Sequence, residues 1–337
     1  MLNINNRRYI GSKTKLLRHI VNVVYENINI QQFTFADLFG GTGVVAYEFA
    51  KKGHPTIVND MLLSNVVAYH AWMGSEPIRQ DVISTNISYF NALHYSDIQN
   101  NYFSKIYGGK YFSNNDAKKI GFIRDYLHEH RNEYNYREFC ILLTSLLYTT
   151  DKIANTVGHF EHYLNHTPQD SNFILPQLEL QHVAPTQIFN DDANELAKLI
   201  QADVVYIDPP YNARQYINFY HVLENLARWE KPTEFEGDSM KFKRNHLKSG
   251  YSRAAAPQLM RDLVNNLTCK LIVVSYNNTY NARSGASNNK IQESELLEIL
   301  QSKGETIRID IDYKAFNSGQ TDLKNHKEYL FVCKVRR

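Results

Sequence analysis

Asp208-Pro209-Pro210-Tyr211 follows directly on the apolar run 204–207. A short run of β-formers reads as a buried parallel strand. Ligands of open α/β sheets bind beyond the carboxyl ends of such strands, which puts Asp208 and Tyr211 at the rim of a cleft. The two prolines fix φ and remove two backbone donors, leaving a stiff turn with free carbonyls. A carboxylate, bare carbonyls and a flat ring suit a planar group bearing an amine, such as an adenine base. An ordinary Pro-rich turn with a surface tyrosine has the same residues, so other parts of the chain must decide.

A second group of residues suits a nucleotide-like ligand. Asp37-Leu38-Phe39-Gly40-Gly41-Thr42-Gly43 lies between a strand pattern and a helix pattern. Glycines there let backbone approach a ligand, with helix-start N–H groups turned towards it. The spacing is not the dinucleotide fingerprint, because Ala46 stands where the third glycine would be. No Gly-Lys-Ser/Thr follows, which excludes a Walker-type phosphate loop. Asp60 ends the next short strand, where an acid can take both hydroxyls of a ribose or simply cap the following helix. Asp192 ends a later strand and would face the same cleft. Near the start, Gly11 and Ser12 suit a tight turn and a helix cap, placing Lys13 in the first helical turn. A cation there opposes the helix dipole, so either it is solvated or a carboxylate or phosphate lies nearby.

Composition narrows the classes. With 43% hydrophobic and 21% charged residues the chain is globular, and a net charge of +2 means any nucleic-acid face must be local. Cys140, Cys269 and Cys333 are far apart in apolar runs, as in a reduced, cytoplasmic protein. The histidines lack metal-ligand spacing, so no metal is expected. The start has no apolar core of a signal peptide and the longest apolar stretch is too short for a bilayer, so no membrane is expected.

The elements that must position these residues alternate as strand and helix. Strands are expected at 33–39, 56–60, 186–192, 203–211, 271–276, 305–313 and 327–335, with a hairpin across 314–326. Residues 75–184 break the rhythm. They are polar and mainly helical, notably over 117–128 and 136–150, and read as an insert between two strands. Within it Lys152 and Asn155 are candidate substrate contacts. Residues 230–255 form a turn-rich loop in which Lys241, Lys243, Arg244, Lys248 and Arg253 are interleaved with aromatics. That pattern suits a phosphate backbone or a solvated basic loop.

Asp208-Pro209-Pro210-Tyr211, the glycine turn and Tyr9-Ile10-Gly11-Ser12-Lys13 together resemble the amino-group DNA adenine N6-methyltransferases of the Dam-like alpha class. The run Asn212-Ala213-Arg214-Gln215-Tyr216 is similar to modification methylases of type II restriction systems such as the FokI system. The resemblance covers nearly the whole chain. It implies an α/β fold with a Rossmann-like class I methyltransferase sheet, formed by residues 1–74 and 185–337. Residues 75–184 would be an inserted target-recognition domain, and 230–255 a DNA-facing basic loop. It implies S-adenosylmethionine as cofactor, with Tyr9, Lys13, Asp37, Phe39, Gly40, Gly41, Thr42, Gly43, Asp60, Asp192 and Asp208 around it. Asp208, Pro209, Pro210 and Tyr211 would be catalytic on a flipped adenine, and Arg214 would join the basic residues on DNA. A monomer acting on double-stranded DNA is expected, with a separate restriction endonuclease as possible counterpart. The residues support that chemistry independently: Asp208 and the Pro209 carbonyl can accept both N6–H bonds, and Tyr211 can stack on the base.

Other planar amines stay open: cytosine N4, RNA adenine or a protein glutamine amide. Asp208 disfavours the first and last, whose enzymes usually begin the motif with Ser and Asn. A catalytically idle nucleic-acid-binding protein on the same fold is a further reading. The glycine spacing argues against a nucleotide oxidoreductase, and the lack of a Pro-Cys pair against cytosine C5 chemistry.

Overall fold

The computed structural model describes residues 1–280, 285–312 and 327–336. Among the described residues nine strands follow in chain order: β1 (Phe35–Asp37), β2 (Thr56–Asn59), β3 (Thr186–Phe189), β4 (Val204–Ile207), β5 (Phe235–Glu236), β6 (Lys241–Phe242), β7 (Leu271–Asn277), β8 (Gly304–Asp312) and β9 (Lys327–Val335). The helices are α1 (Leu17–Asn27), α2 (Val44–Lys51), α3 (Leu63–Met73), α4 (Gln80–Ala92), α5 (Tyr102–Tyr107), α6 (Asn114–Glu129), α7 (Tyr136–Ile153), α8 (Ala193–Ala197), α9 (Tyr216–Arg228), α10 (Ala256–Asn266) and α11 (Glu293–Lys303).

Seven strands form one sheet in the order β3-β2-β1-β4-β7-β9-β8, all parallel except β9, which is antiparallel to both neighbours. β5 and β6 make a separate two-residue hairpin. In β4, Val204 and Tyr206 join one hydrophobic core, while Val205 and Ile207 join the other. Burial on both faces is why this strand reads as an unbroken apolar run. Helices α8, α10 and α11 cover the Val205 face, and α1, α2, α3, α7 and α9 the Val204 face. Strand order reverses between β1 and β4, opening a crevice at their carboxyl ends.

The expected α/β class, with a mainly helical insert, is what the chain adopts, and the structure sharpens several bounds. β4 stops at Ile207 because Pro209 and Pro210 cannot donate to the ladder. Lys13 does not begin α1. Lys13–Lys15 is a separate 3₁₀ turn capped by Ser12, and α1 starts at Leu17. Residues 154–185 contain no helix or strand, so the insert is helical only in its first two thirds. Its long helix α7 packs on α3 and α9 within the same hydrophobic core that covers the sheet. β8 and β9 match the two closing strands, whereas the hairpin expected across 314–326 lies outside the described residues. Among the described residues no helix is long and apolar enough to cross a membrane, and no cluster of His, Cys, Asp or Glu could hold a metal.

Candidate active site

The glycine turn takes its shape from the residue beneath it. A side chain at Gly40 would lie 2.7 Å from the Tyr69 hydroxyl, and one at Gly43, where φ is +79°, 2.7 Å from the Tyr69 ring. That hydroxyl donates to the Gly41 carbonyl at 2.8 Å. Asp60 holds the same turn from the side, accepting the Gly41 N–H at 2.9 Å and the Leu62 N–H at 2.8 Å. It therefore both braces the turn and caps the approach to α3. Tyr69 is not distinguishable from a core residue by sequence, since it sits in the apolar stripe of α3.

Above the turn, at the carboxyl ends of β1 and β4, lies a cavity. Tyr9, Lys13, Asp37, Phe39, Gly40, Gly41, Thr42, Asp60, Asp192 and Asp208 line it, while Gly43 stands behind the wall at the start of α2. Asp37 is 1% exposed and carries one carboxylate oxygen with no hydrogen-bond partner. Burial, then the neighbouring Asp208, pushes the Asp37 carboxyl up to about 8, and burial raises Asp60 to about 6. A cation would relieve both, so two raised carboxyls, one with an unpartnered oxygen, suit a cationic ligand. Asp192, also on the cavity wall, caps α8 by accepting the Asn194 N–H at 2.9 Å.

Asp208 is held by two donors. Lys13 Nζ lies 2.7 Å from Oδ2, and the Tyr211 hydroxyl donates to Oδ1 at 2.6 Å. Of the two readings of Lys13, solvated or paired with an anion, the structure shows the second: it is 8% exposed and paired with a carboxylate. Burial raises the Asp208 carboxyl from its ordinary value, with Lys13 and Tyr211 opposing. An ionised carboxylate has about four lone-pair sites, so each oxygen can still accept another N–H. The Pro209 carbonyl receives no hydrogen bond from the described residues. Tyr211 is fixed at its carbonyl by the Lys290 N–H at 2.7 Å and the Tyr276 hydroxyl at 3.3 Å. Its ring lies 4.6 Å from that of Tyr276.

Tyr9 is the middle of a stack. Its ring is 4.6 Å from Tyr220 at 5° and 5.5 Å from Tyr216 at 25°, with the Arg7 guanidinium 5.3 Å away. The stack ties the N-terminal segment to α9 and forms one wall of the cavity.

The expected DNA-contacting residues divide. Lys152, Arg214, Lys243 and Arg253 are exposed, and Lys241 and Lys248 are half-buried. Arg244 departs from the expectation. It is 7% exposed, paired with Glu236 at 2.9 Å and donating to Asn218 at 2.8 Å, so it holds its own loop together. Asn155 departs likewise: at 8% exposed it donates to the carbonyls of Lys110, Leu164 and His166 and pins the segment after α7. The basic loop also supplies cavity wall that the sequence did not reveal. Leu247, Ser249 and Tyr251 line it, together with Gln215 and Tyr216. The only available signal was position, immediately after the Pro-Pro turn and inside a cationic segment.

Residues 9–279 match the family described as D12 class N6 adenine-specific DNA methyltransferase. Modification methylase StsI of Streptococcus sanguinis is 35% identical over 98% of this chain and 52% of that protein. Type II methyltransferase M.FokI of Planomicrobium okeanokoites is 32% identical over 96% of this chain and 52% of its own length. Type II methyltransferase M.NlaIII of Neisseria lactamica is 27% identical over 96% of this chain and 98% of its own. The chain thus spans about half the length of the first two relatives and nearly all of the third.

Proposed function

The chain belongs to the D12 class N6 adenine-specific DNA methyltransferases, and from that premise we propose that it methylates N6 of a flipped adenine in double-stranded DNA. The observation that carries this reading is Asp208. It stands at the sheet's switch point on the cavity wall, beside a Pro209 carbonyl that accepts no hydrogen bond from the described residues. S-adenosylmethionine, when bound there, supplies an electrophilic methyl group on a sulfonium. Asp37 would hold the donor's ammonium, Asp60 its ribose hydroxyls, and Asp192 and Phe39 the region of its adenine.

The work of the chain on the substrate follows from geometry. Asp208 and the Pro209 carbonyl accept the two N6–H bonds, drawing the nitrogen lone pair out of conjugation with the ring. Charge-assisted acceptors are the stronger kind, and positioning N6 supplies proximity. Lys13 opposes the upward shift that burial gives the Asp208 carboxyl and so favours the ionised form, which accepts rather than donates. Tyr211 stacks on the extruded base, which supplies roughly 1–3 kcal/mol against the cost of unstacking. The exposed cations Arg214, Lys243 and Arg253 would take phosphates, and the insert 75–184 would read bases. The relatives' names, modification methylase and type II methyltransferase, support a place in a restriction-modification system, whose endonuclease would act separately.

Methylation-sensitive sequencing of DNA from cells expressing the chain tests the reading. N6-methyladenine should rise in one sequence context and vanish with Asp208→Ala. Soluble protein with no rise over control in any context would overturn it.

A further inference from the structure

The segment 243–253 has two faces. Lys243 and Arg253 are exposed on its outer side, whereas Leu247, Ser249 and Tyr251 line the donor cavity. The Tyr251 ring meets Phe39 of the glycine turn edge-on at 5.1 Å, and its hydroxyl donates to Asn194 at 2.8 Å. The same segment is clasped to the catalytic turn by one side chain. The Gln215 amide accepts the Ser249 N–H at 2.8 Å and donates to the Ser249 carbonyl at 3.0 Å. Next to it, the Ser252 hydroxyl donates to the Arg214 carbonyl at 3.2 Å. A primary amide paired with both backbone groups of one residue fixes orientation as well as distance, because a donor and an acceptor must align together.

We propose that Gln215 is a positioning residue that couples donor binding to DNA binding. When the segment closes over the donor, the Gln215 clasp sets its outer cations at a fixed place relative to the Asp208 turn. The inference rests on the proposed donor and substrate, but not on methyl transfer. Two ligands that favour one arrangement of a shared segment must tighten each other by the same factor. A side chain that merely filled space would change stability and leave that factor alone.

Binding of S-adenosylhomocysteine, an unreactive form of the donor, is measured by calorimetry on the whole chain, without and with saturating duplex DNA of mixed sequence. DNA should tighten binding by at least about fivefold in the wild type, the low end of usual coupling, and by less than about twofold in Gln215→Ala. Gln215→Glu keeps the acceptor for the Ser249 N–H and loses the donor, so its coupling should be intermediate. No coupling in the wild type, or full coupling in Gln215→Ala, overturns the proposal. Should Gln215→Ala fail to fold, full coupling in Gln215→Glu overturns it instead. Because the readout needs no methylation, a lack of N6-methyladenine would count against the proposed function alone.

Discussion

Asp37 is buried and Asp208 half-buried on the wall of one cavity, and their partners set them apart. Asp208 has Lys13 Nζ at 2.7 Å, whereas Asp37 has an oxygen with no partner. Lys13→Met leaves the half-buried Asp208 without its cation, which favours the protonated form. Removing an opposite charge at that range moves a carboxyl by about 1–3 pH units, so the acid limb of kcat/KM should move up by that amount. A profile superimposable on the wild type would show that Lys13 does not govern Asp208. For Asp37 the folded value, about 8, lies above the ordinary 3.8. The folded state therefore holds a proton that the unfolded state has released. Its contribution to stability is complete below pH ~4 and is lost as pH rises through about 8. Asp60 and Asp151, both raised to about 6, add to the same trend below that point. From pH 6 to 8 the donor-free protein should lose up to about 1.4 kcal/mol per pH unit through Asp37, and Asp37→Asn should flatten that segment. Urea midpoints across the range measure it; an equal slope in the variant would place the titration elsewhere.

Helix α7 shows how far an insert can be part of a core. It lies within residues that break the sheet's rhythm, yet Cys140 to Thr150 are buried against α3 and α9. Leu146, fully buried, should cost about 2–5 kcal/mol on truncation to Ala. The transition should remain single whether followed by helix content or by Trp72, whose ring lies 5.3 Å from Tyr148 of α7. Two separate transitions would make the insert an independent body. What the sequence made legible follows from the same physics. Strands and α7 itself announced themselves through unbroken apolar runs or a helical stripe, and Asp208, Asp60 and Asp192 stand at strand ends where chemistry expects them. The Lys13–Asp208 pair, the Tyr69 support and the Gln215–Ser249 clasp join residues tens to hundreds of positions apart, and no local pattern encodes such contacts. Arg244 and Asn155 misled for the complementary reason: a polar residue in a polar loop looks exposed until its partners are known.

Across the whole molecule, charge is arranged rather than abundant. The net charge is only +2, but the reversal of strand order collects Asp37, Asp60, Asp192 and Asp208 at one cavity. Such an acidic wall favours a cationic donor and would repel phosphate. The exposed cations Lys243 and Arg253 lie on the segment that lines that cavity, so exposed positive charge borders the acids, and on the proposed function it would face the DNA backbone. DNA affinity should therefore fall steeply with salt in spite of the modest net charge. Each phosphate contact contributes about −0.9 to the slope of log K against log salt. Lys243→Ala and Arg253→Ala should each make the slope shallower by about 1, and the pair by about 2, measured by fluorescence anisotropy on duplex DNA. Arg244→Ala provides the contrast. Its guanidinium is bound to Glu236 and Asn218, so its loss should lower thermal stability and leave the salt slope unchanged at temperatures where the protein is folded. Unchanged slopes in the Lys243 and Arg253 variants would move the phosphate track off this loop.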